Sequence, residues 1–241
     1  PTPVRDHTEL MLEAAGVKVT RRPTSVSLES PERMSLAEVL VPGDISSAAP
    51  FLVAAALLPG SQLTVHDVML NPRRAGLLDV LERMGARIGI HNKRRVAGEL
   101  VGDIEIVSQP LVATKIEAAE VPSMVDELPL IALLGAFAHG RTKVTGAEEL
   151  RAKETDRIET VTAAMKAIGV RIKELPDGFI IRGVPARPRG GTIDAAGDHR
   201  IAMLGAIAGA VSMEGVRIEG AECVAISFPG FYDLLGSVIQ R

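Results

Sequence analysis

The chain has 241 residues and a formal net charge of −3, and 46% of it is hydrophobic although only 2% is aromatic, with no Trp and one Tyr. That length supports one large domain, or a domain plus part of another, around a core of Leu, Ile, Val, Ala and Met. The mixed charge excludes a general nucleic-acid binder, which needs a field of one sign, and a single cysteine, Cys223, excludes an internal disulfide framework and a multi-Cys metal site.

In chain order, RDHTELMLEAAGVKV (5–19) predicts a helix running into a strand. TSVSLES (24–30) alternates with period two and predicts a strand, SPER (30–33) a loop, and AEVLVPG (37–43) a strand that ends a first segment near Val41. Gly43–Ile88 then opens a plan that occurs three times. An acid near the start is followed by an all-apolar, Ala/Leu-rich helix, a Gly-containing turn and a short β-like run. A loop and an amphipathic helix then lead toward another strand. The second copy is Val125–Ile172 and the third Gly197–Ile239.

Between the copies, DIEIVSQP (103–110) and GFIIRGV (178–184) predict strands and ARPRGG (186–191) a loop. The basic runs NPRRAG (71–76) and HNKRRVAG (91–98) carry no repeated partner feature and are expected to be solvated loops. The opening segment matches only the back half of the plan, since MLEAAGVKV aligns with VLERMGARI and MKAIGVRI; a chain beginning in mid-repeat reads as a fragment. The longest apolar runs, AAPFLVAAALL and LPLIALLGAFA, are too short to span a membrane, and no signal-peptide pattern opens the chain. Helices apolar all round must be covered on every side. The expected fold is therefore repetitive α/β, with three such helices inside and sheets and amphipathic helices outside. Cys223 reads as a free structural thiol in a reducing compartment.

The stretch LRAKETDRIE (150–159) packs six charged side chains into ten residues. From its ninth residue onward Ile158, Val161, Met165 and Ile168 recur at helical spacing and define a buried stripe. Continued backwards at about 100° per residue, that helix puts Glu154 on the stripe, Arg157 at its margin and Lys153 beyond. A carboxylate on a buried face is desolvated, which favours its neutral form and suits it to general acid–base work. Lys153 and Arg157, beside the free N–H groups of a helix start, would make a phosphate or carboxylate site. An ordinary charged first turn with i, i+4 pairs has the same spacing.

The device recurs. GDHRIAM puts Asp198, His199 and Arg200 at the start of another buried helix, MVDELPL puts Asp126 and Glu127 at a third, with Pro129 in its first turn, and GDISSAA offers Asp44, Ser46 and Ser47. Each acid alone is an N-cap; their recurrence predicts a shared polar cleft. There is no zinc-ligand spacing, no GxGxxG after a strand and no Walker-type phosphate loop.

At these residues the sequence resembles the enolpyruvyl transferases, in their EPSP synthase branch. RDHTELML, VPGDISSAAPFLVAAALLPGS, SMVDELPLIALLGAFAHG, EELRAKETDRI, GDHRIAM and SFPGFYDLL lie in family order over nearly the whole chain, and KETDR followed by DHRIAM is specific to that branch. The resemblance implies an α/β (α+β type) fold of repeated βαβαββ units, an inside-out barrel with buried parallel helices and sheets outside, here incomplete. It implies that residues 1–40 are the C-terminal tail of the first-half domain and 41–241 the second domain, with three repeat units, the last incomplete without a missing N-terminal part.

The activity it implies is transfer of the enolpyruvyl group of phosphoenolpyruvate to the 5-hydroxyl of shikimate 3-phosphate, with phosphate released through a tetrahedral intermediate. By the same resemblance Asp126 is the base at the 5-hydroxyl and Glu154 the proton donor to phosphoenolpyruvate. Arg5 and Lys153 are shikimate 3-phosphate ligands, and Arg157 and Arg200 phosphoenolpyruvate ligands with His199 close by. No metal or organic cofactor is implied. The expected partners are the two substrates and the missing N-terminal part, with no nucleic acid and no membrane, in a complete enzyme that is monomeric and cytoplasmic. A relative acting on UDP-N-acetylglucosamine and a non-catalytic anion-binding module are the alternatives. Three positions depart from the family pattern: Val4 stands before the RDHT motif where a hydroxyl residue is common, Glu149 where some members have Asn, and Ile226 where many have a Lys that helps bind phosphoenolpyruvate.

Overall fold

Within residues 5–36, 39–184 and 186–239, which the computed structural model describes, the chain opens with helix α1 (His7–Ala14) and the antiparallel strands β1 (Lys18–Arg22) and β2 (Ser25–Glu29). A first set follows: α2 (Ile45–Leu57), β3 (Gln62–Met69), α3 (Gly76–Arg83), β4 (Arg87–Val96) and β5 (Glu99–Val107). The second set is β6 (Lys115–Ile116), α4 (Leu128–Phe137), β7 (Gly140–Val144), α5 (Arg157–Ala167), β8 (Arg171–Leu175) and β9 (Gly178–Gly183). The third is β10 (Gly191–Asp194), α6 (His199–Val211), β11 (Val216–Glu219) and α7 (Phe231–Val238).

The sets share one topology. β6 pairs in parallel with β7 and β10 with β11, and in the first set Gly43 makes the corresponding parallel bridge to Val68. A parallel pair needs a crossover, and each time the crossover is a helix buried at the centre. In the first two sets a second helix leads to two antiparallel strands whose latter member joins the earlier strand, giving the orders β3-β5-β4 and β6-β7-β9-β8. The opening α1-β1-β2 has the helix-strand-strand order of the back half of a unit.

The central helices are α2, α4 and α6, which pack on one another. Ile45, Leu52 and Val53 of α2, Leu128, Ile131, Leu133 and Leu134 of α4, and Ile201, Leu204 and Ile207 of α6 are all inaccessible to solvent. Each such aliphatic side chain contributes about 1.5–3 kcal/mol on burial, so most of the core lies between these helices and the sheets around them. The predicted stripe of α5 is buried at Ile158, Val161 and Met165, with Ile168 just beyond the helix end. Of the described residues before α2, only Ala15 and Val17 among the hydrophobic ones are buried. Their segment is joined to the rest mainly by polar contacts: Asn71 Nδ2 donates to Asp6 Oδ1 at 2.9 Å, and His7 bonds Glu99.

Two expectations change. AEVLVPG forms no strand in its described part, 39–43, beyond the single bridge at Gly43; Pro42 has no N–H to give a ladder, and residues 37–38 lie outside the described set. HNKRRVAG is not a loop through Val96 but the end of β4. That strand lies at the edge of its sheet and carries an irregularity between His91 and Arg94, with Asn92 at φ 52°, so the charged side chains stay in water. No helix among the described residues is long and apolar enough to cross a membrane.

Candidate active site

The polar helix starts that recur in the sequence meet at one end of the central bundle. Asp44 caps α2 by accepting from Ser47 N at 3.1 Å, Asp198 caps α6 by accepting from Arg200 N at 2.9 Å, and Asp126 and Glu127 sit in the short 3-10 turn (Val125–Glu127) that leads into α4. The link between these starts is Arg157, the first residue of α5. Its side chain is only 1% exposed, and its nitrogens are bound by three carboxylates. Nε donates to Asp198 Oδ2 at 2.7 Å, Nη1 to Asp126 Oδ1 at 3.3 Å, and Nη2 to Glu154 and, at 3.3 Å, to Asp198 Oδ1.

Charge fixes the protonation of this group. Burial pushes the Asp198 carboxyl up, but the Arg157 guanidinium, the Arg200 N–H and the Thr155 hydroxyl outweigh it and hold it below the usual carboxylate range. Asp126 is likewise pushed up by burial and pulled down further by Arg200, Arg5 and Arg157, so it is an ionised acceptor at neutral pH. Arg5 Nη2 reaches it from the opening segment at 2.9 Å. His199 is shifted down by burial and by the positive Arg200, and is therefore neutral near pH 7.

A second layer holds Arg200. Pro50 lies inside α2 and has no N–H, so the Ser46 carbonyl four residues earlier is left without its helical donor. Arg200 Nη1 donates to that carbonyl at 3.3 Å, and Arg200 Nε is buried with no hydrogen-bond partner among the described residues. The Ser46 hydroxyl donates to buried Glu127 and accepts from Arg74 Nη2 at 2.8 Å, while the same nitrogen donates to Asp44 Oδ1 at 2.9 Å. Burial raises the Glu127 carboxyl despite the Ser46 hydrogen bond. A carboxyl raised in the fold binds its proton more tightly than in the unfolded chain. Its stabilising share is whole below the unfolded value of about 4.3 and is lost as pH rises through the folded value. Glu127→Gln removes that titration and keeps an acceptor for Ser46, so its melting temperature relative to the parent should rise between pH 4 and pH 7. An unchanged difference across that range would remove Glu127 as the source of the effect.

The structure therefore brings Arg5, Asp126, Glu154, Arg157 and Arg200 together, with His199 adjacent in sequence to Asp198 and Arg200. Two positions differ from the helical extrapolation. Asp156 is the N-cap, accepting from Ile158 N and Glu159 N at 3.1 Å, so α5 begins at Arg157 and Glu154 lies in the preceding turn with its side chain 49% exposed. Arg157, placed at the margin by periodicity, is the buried member. Lys153, also outside the helix, donates to Glu149 at 2.6 Å and has no hydrogen bond or ion pair with the Arg157 cluster among the described residues. The start of α5 is thus filled by Asp156 and is not an open anion site. Of the departures, Glu149 holds Lys153, Ile226 is 80% exposed at the end of a 3-10 turn, and Val4 lies outside the described residues. NPRRAG is not the solvated loop expected: Asn71 is buried and Arg74, its side chain 12% exposed, is held by Asp44 and Ser46, partners about one helix and one strand away that no local pattern reveals. Among the described residues no group of His, Cys, Asp and Glu is arranged to hold a metal ion.

The repeated units, the buried helices with their charged starts and the carboxylate-bound arginine define the enolpyruvyl transferase fold. The family description of EPSP synthase (3-phosphoshikimate 1-carboxyvinyltransferase) matches residues 1–235, and the chain belongs to that family. Curated relatives named 3-phosphoshikimate 1-carboxyvinyltransferase include those of Desulforudis audaxviator (strain MP104C), 45% identical over 99% of this chain and 55% of the relative, and of Sulfurihydrogenibium sp. (strain YO3AOP1), 46% identical over 99% of this chain and 56% of the relative. The solved EPSP synthase of Acinetobacter baumannii superposes with a TM-score of 0.93 at 38% identity, covering 98% of this chain and 55% of that one. The enolpyruvyl transferase NikO of Streptomyces tendae, at 21% identity and a TM-score of 0.73, shares the fold. The chain spans about half the length of the curated relatives it matches.

Proposed function

We propose that this chain supplies one side of the active site of an enzyme that moves the enolpyruvyl group of phosphoenolpyruvate onto the 5-hydroxyl of shikimate 3-phosphate and releases phosphate. The observation that carries the reading is the junction at Arg157, where two acids suited to proton transfer, Asp126 and Glu154, share one buried cation beside Arg5 and Arg200. In this reading residues 1–40 belong to a first-half domain and 41–241 to the second, whose third unit is completed by a part of the enzyme outside this chain. We place the complete enzyme in the cytoplasm as a monomer.

The chemistry needs one proton taken from the hydroxyl and another delivered to the methylene carbon. Asp126, kept ionised by its three arginines, accepts the hydroxyl proton as the oxygen bonds to the central carbon of phosphoenolpyruvate. Glu154, exposed on the outer side of Arg157, gives its proton to the methylene carbon, forming the tetrahedral intermediate. The Glu154 carboxylate so formed takes a proton back from the new methyl group as the carbon–oxygen bond to phosphate breaks, and phosphate leaves. Arg157 and Arg200 hold phosphoenolpyruvate and Arg5 and Lys153 hold shikimate 3-phosphate, with His199 close by. Because every Arg157 nitrogen is already bound, an incoming anion takes the place of Glu154 on Nη2, and the freed, half-exposed carboxylate takes up a proton from solvent that it can then transfer. Lys153 likewise exchanges Glu149 for a substrate phosphate. Cations preset for developing charge lower the barrier without reorganising.

The test is phosphate release from the two substrates by the chain alone and after addition of the remaining part of the enzyme as a separate polypeptide. Release only on mixing is expected. Silence in both, with the two parts folded and associated, overturns the proposal, and release dependent on UDP-N-acetylglucosamine redirects it to that substrate.

A further inference from the structure

We propose that the outward face of the sheet β6-β7-β9-β8 is a binding site for a small ligand carrying several adjacent phosphate groups. The inference does not depend on the transferase reading, because the inner side of this sheet packs on α4 and α5 while the face in question looks away from them.

The register builds the site. Arg141 of β7 and Arg171 of β8 stand directly opposite Arg182 of the intervening β9, so three guanidinium side chains form one row. Two residues along, Lys143 and Lys173 flank Ile180, and Lys115 of β6 extends that second row opposite Lys143. All six cations are exposed, and they alternate with the buried Ile116, Thr142, Val144, Ile172 and Ile181. None has an ion pair or a side-chain hydrogen bond among the described residues. The one carboxylate in these four strands, Glu174, has the opposite parity and is bound by Arg151 at 2.9 Å. A shallow depression of about 400 Å³ lies over Ile180, rimmed by Arg141, Arg171, Lys173 and Arg182.

Like charges directly opposite on neighbouring strands destabilise a sheet, and the chain as a whole is negative, so general basicity does not account for this face. The first repeat is an internal control. The matching sheet carries Glu105 on its central strand, satisfied by Gln62 Nε2 at 2.5 Å and His91 Nε2 at 3.0 Å. The second repeat has the same topology with no such counter-charge built in, which leaves the counter-charge to come from outside. Strand spacing makes the arginine row about 10 Å across and the second row, which reaches β6, about 14 Å, and a two-residue step makes the array about 7 Å deep. That area fits one chain of two or three phosphates, which guanidinium forks grip bidentately, and is too small for the many phosphate contacts on which nucleic-acid affinity rests.

The experiment is calorimetric titration of the chain with inorganic triphosphate, ATP and inorganic monophosphate, using the parent, Arg171→Ala/Arg182→Ala and Arg200→Ala. Triphosphate should bind at least tenfold more tightly than monophosphate. The double variant should weaken it at least tenfold while melting no lower than the parent, since it relieves repulsion, and Arg200→Ala should stay within twofold. ATP binding more tightly than triphosphate identifies a nucleotide ligand, and equal binding identifies the phosphate chain alone; both uphold the site. No triphosphate binding, or binding lost in Arg200→Ala and kept in the double variant, overturns it.

Discussion

Glu154→Gln, introduced into the complete enzyme, should lower turnover by about 10²–10⁴-fold, the usual worth of a positioned general acid, while leaving the fold intact. The side chain is half exposed, and its one hydrogen bond among the described residues is the bond it accepts from Arg157 Nη2. A glutamine carbonyl can accept the same bond, without the charge that strengthens it, so the geometry is kept while the ability to carry a proton is lost. Circular dichroism and melting of the variant should stay close to the parent, and the maximal rate of phosphate release from shikimate 3-phosphate and phosphoenolpyruvate should fall even though the half-saturating concentration of phosphoenolpyruvate does not rise, since the carboxylate it displaces from Arg157 is gone. Turnover within a few-fold of the parent would remove Glu154 from the proton-transfer role. Asp126→Asn is the companion experiment at the other carboxyl. It also takes a negative charge from beside Arg5, Arg157 and Arg200, so it should alter substrate affinity as well as rate.

The largest effect on stability should come from Asp198→Ala. Asp198 is completely buried and supplies the acceptors for Arg157 Nε and one of those for Nη2, as well as the cap of α6. Removing one member of a buried pair leaves the other charge without compensation and costs about 3–5 kcal/mol. Chemical unfolding of the chain should show a loss of that size, and a loss below 1 kcal/mol would mean that Asp126, Glu154 and water satisfy Arg157 unaided. Replacing Arg157 as well, by Met, should recover part of the loss, because the double variant no longer buries a lone charge. The pH dependence follows from the depressed carboxyl. A group held low in the fold contributes stability above its unfolded value of about 3.9 and loses it as pH falls through the lower folded value. The Asp198 share is therefore whole at neutral pH and fades only in strong acid.

Much of this architecture is legible in the sequence because it is written three times. The apolar runs at 48–57, 128–137 and 201–211 lie in the central helices, and the acids Asp44, Asp126 and Asp198 stand at their starts. The back-half character of the opening segment is also visible, in the helix-strand-strand order of α1, β1 and β2. What periodicity misses is where a helix begins. The stripe through Ile158 and Val161 runs backwards without limit on paper, whereas Asp156 ends it by capping, and the signal lay in the aspartate itself. Arg74 was illegible for a different reason. Its role depends on Asp44 and Ser46, which the chain brings back only after α2 and β3 have formed. The basic end of β4 lost its strand signature to an irregularity that breaks the alternation.

Pro50 ties two distant positions into one heritable unit. A proline inside a core helix is an obvious candidate for replacement by alanine, since the substitution restores a backbone hydrogen bond and favours the helix. Here the restored bond would claim the Ser46 carbonyl that Arg200 uses, so a more robust α2 would come with a looser arginine in the third repeat. Lineages of this fold that lose the proline should show a changed partner for that arginine, and a directed search for heat-resistant variants that selects at position 50 should drift away from function unless position 200 or its surroundings change in step.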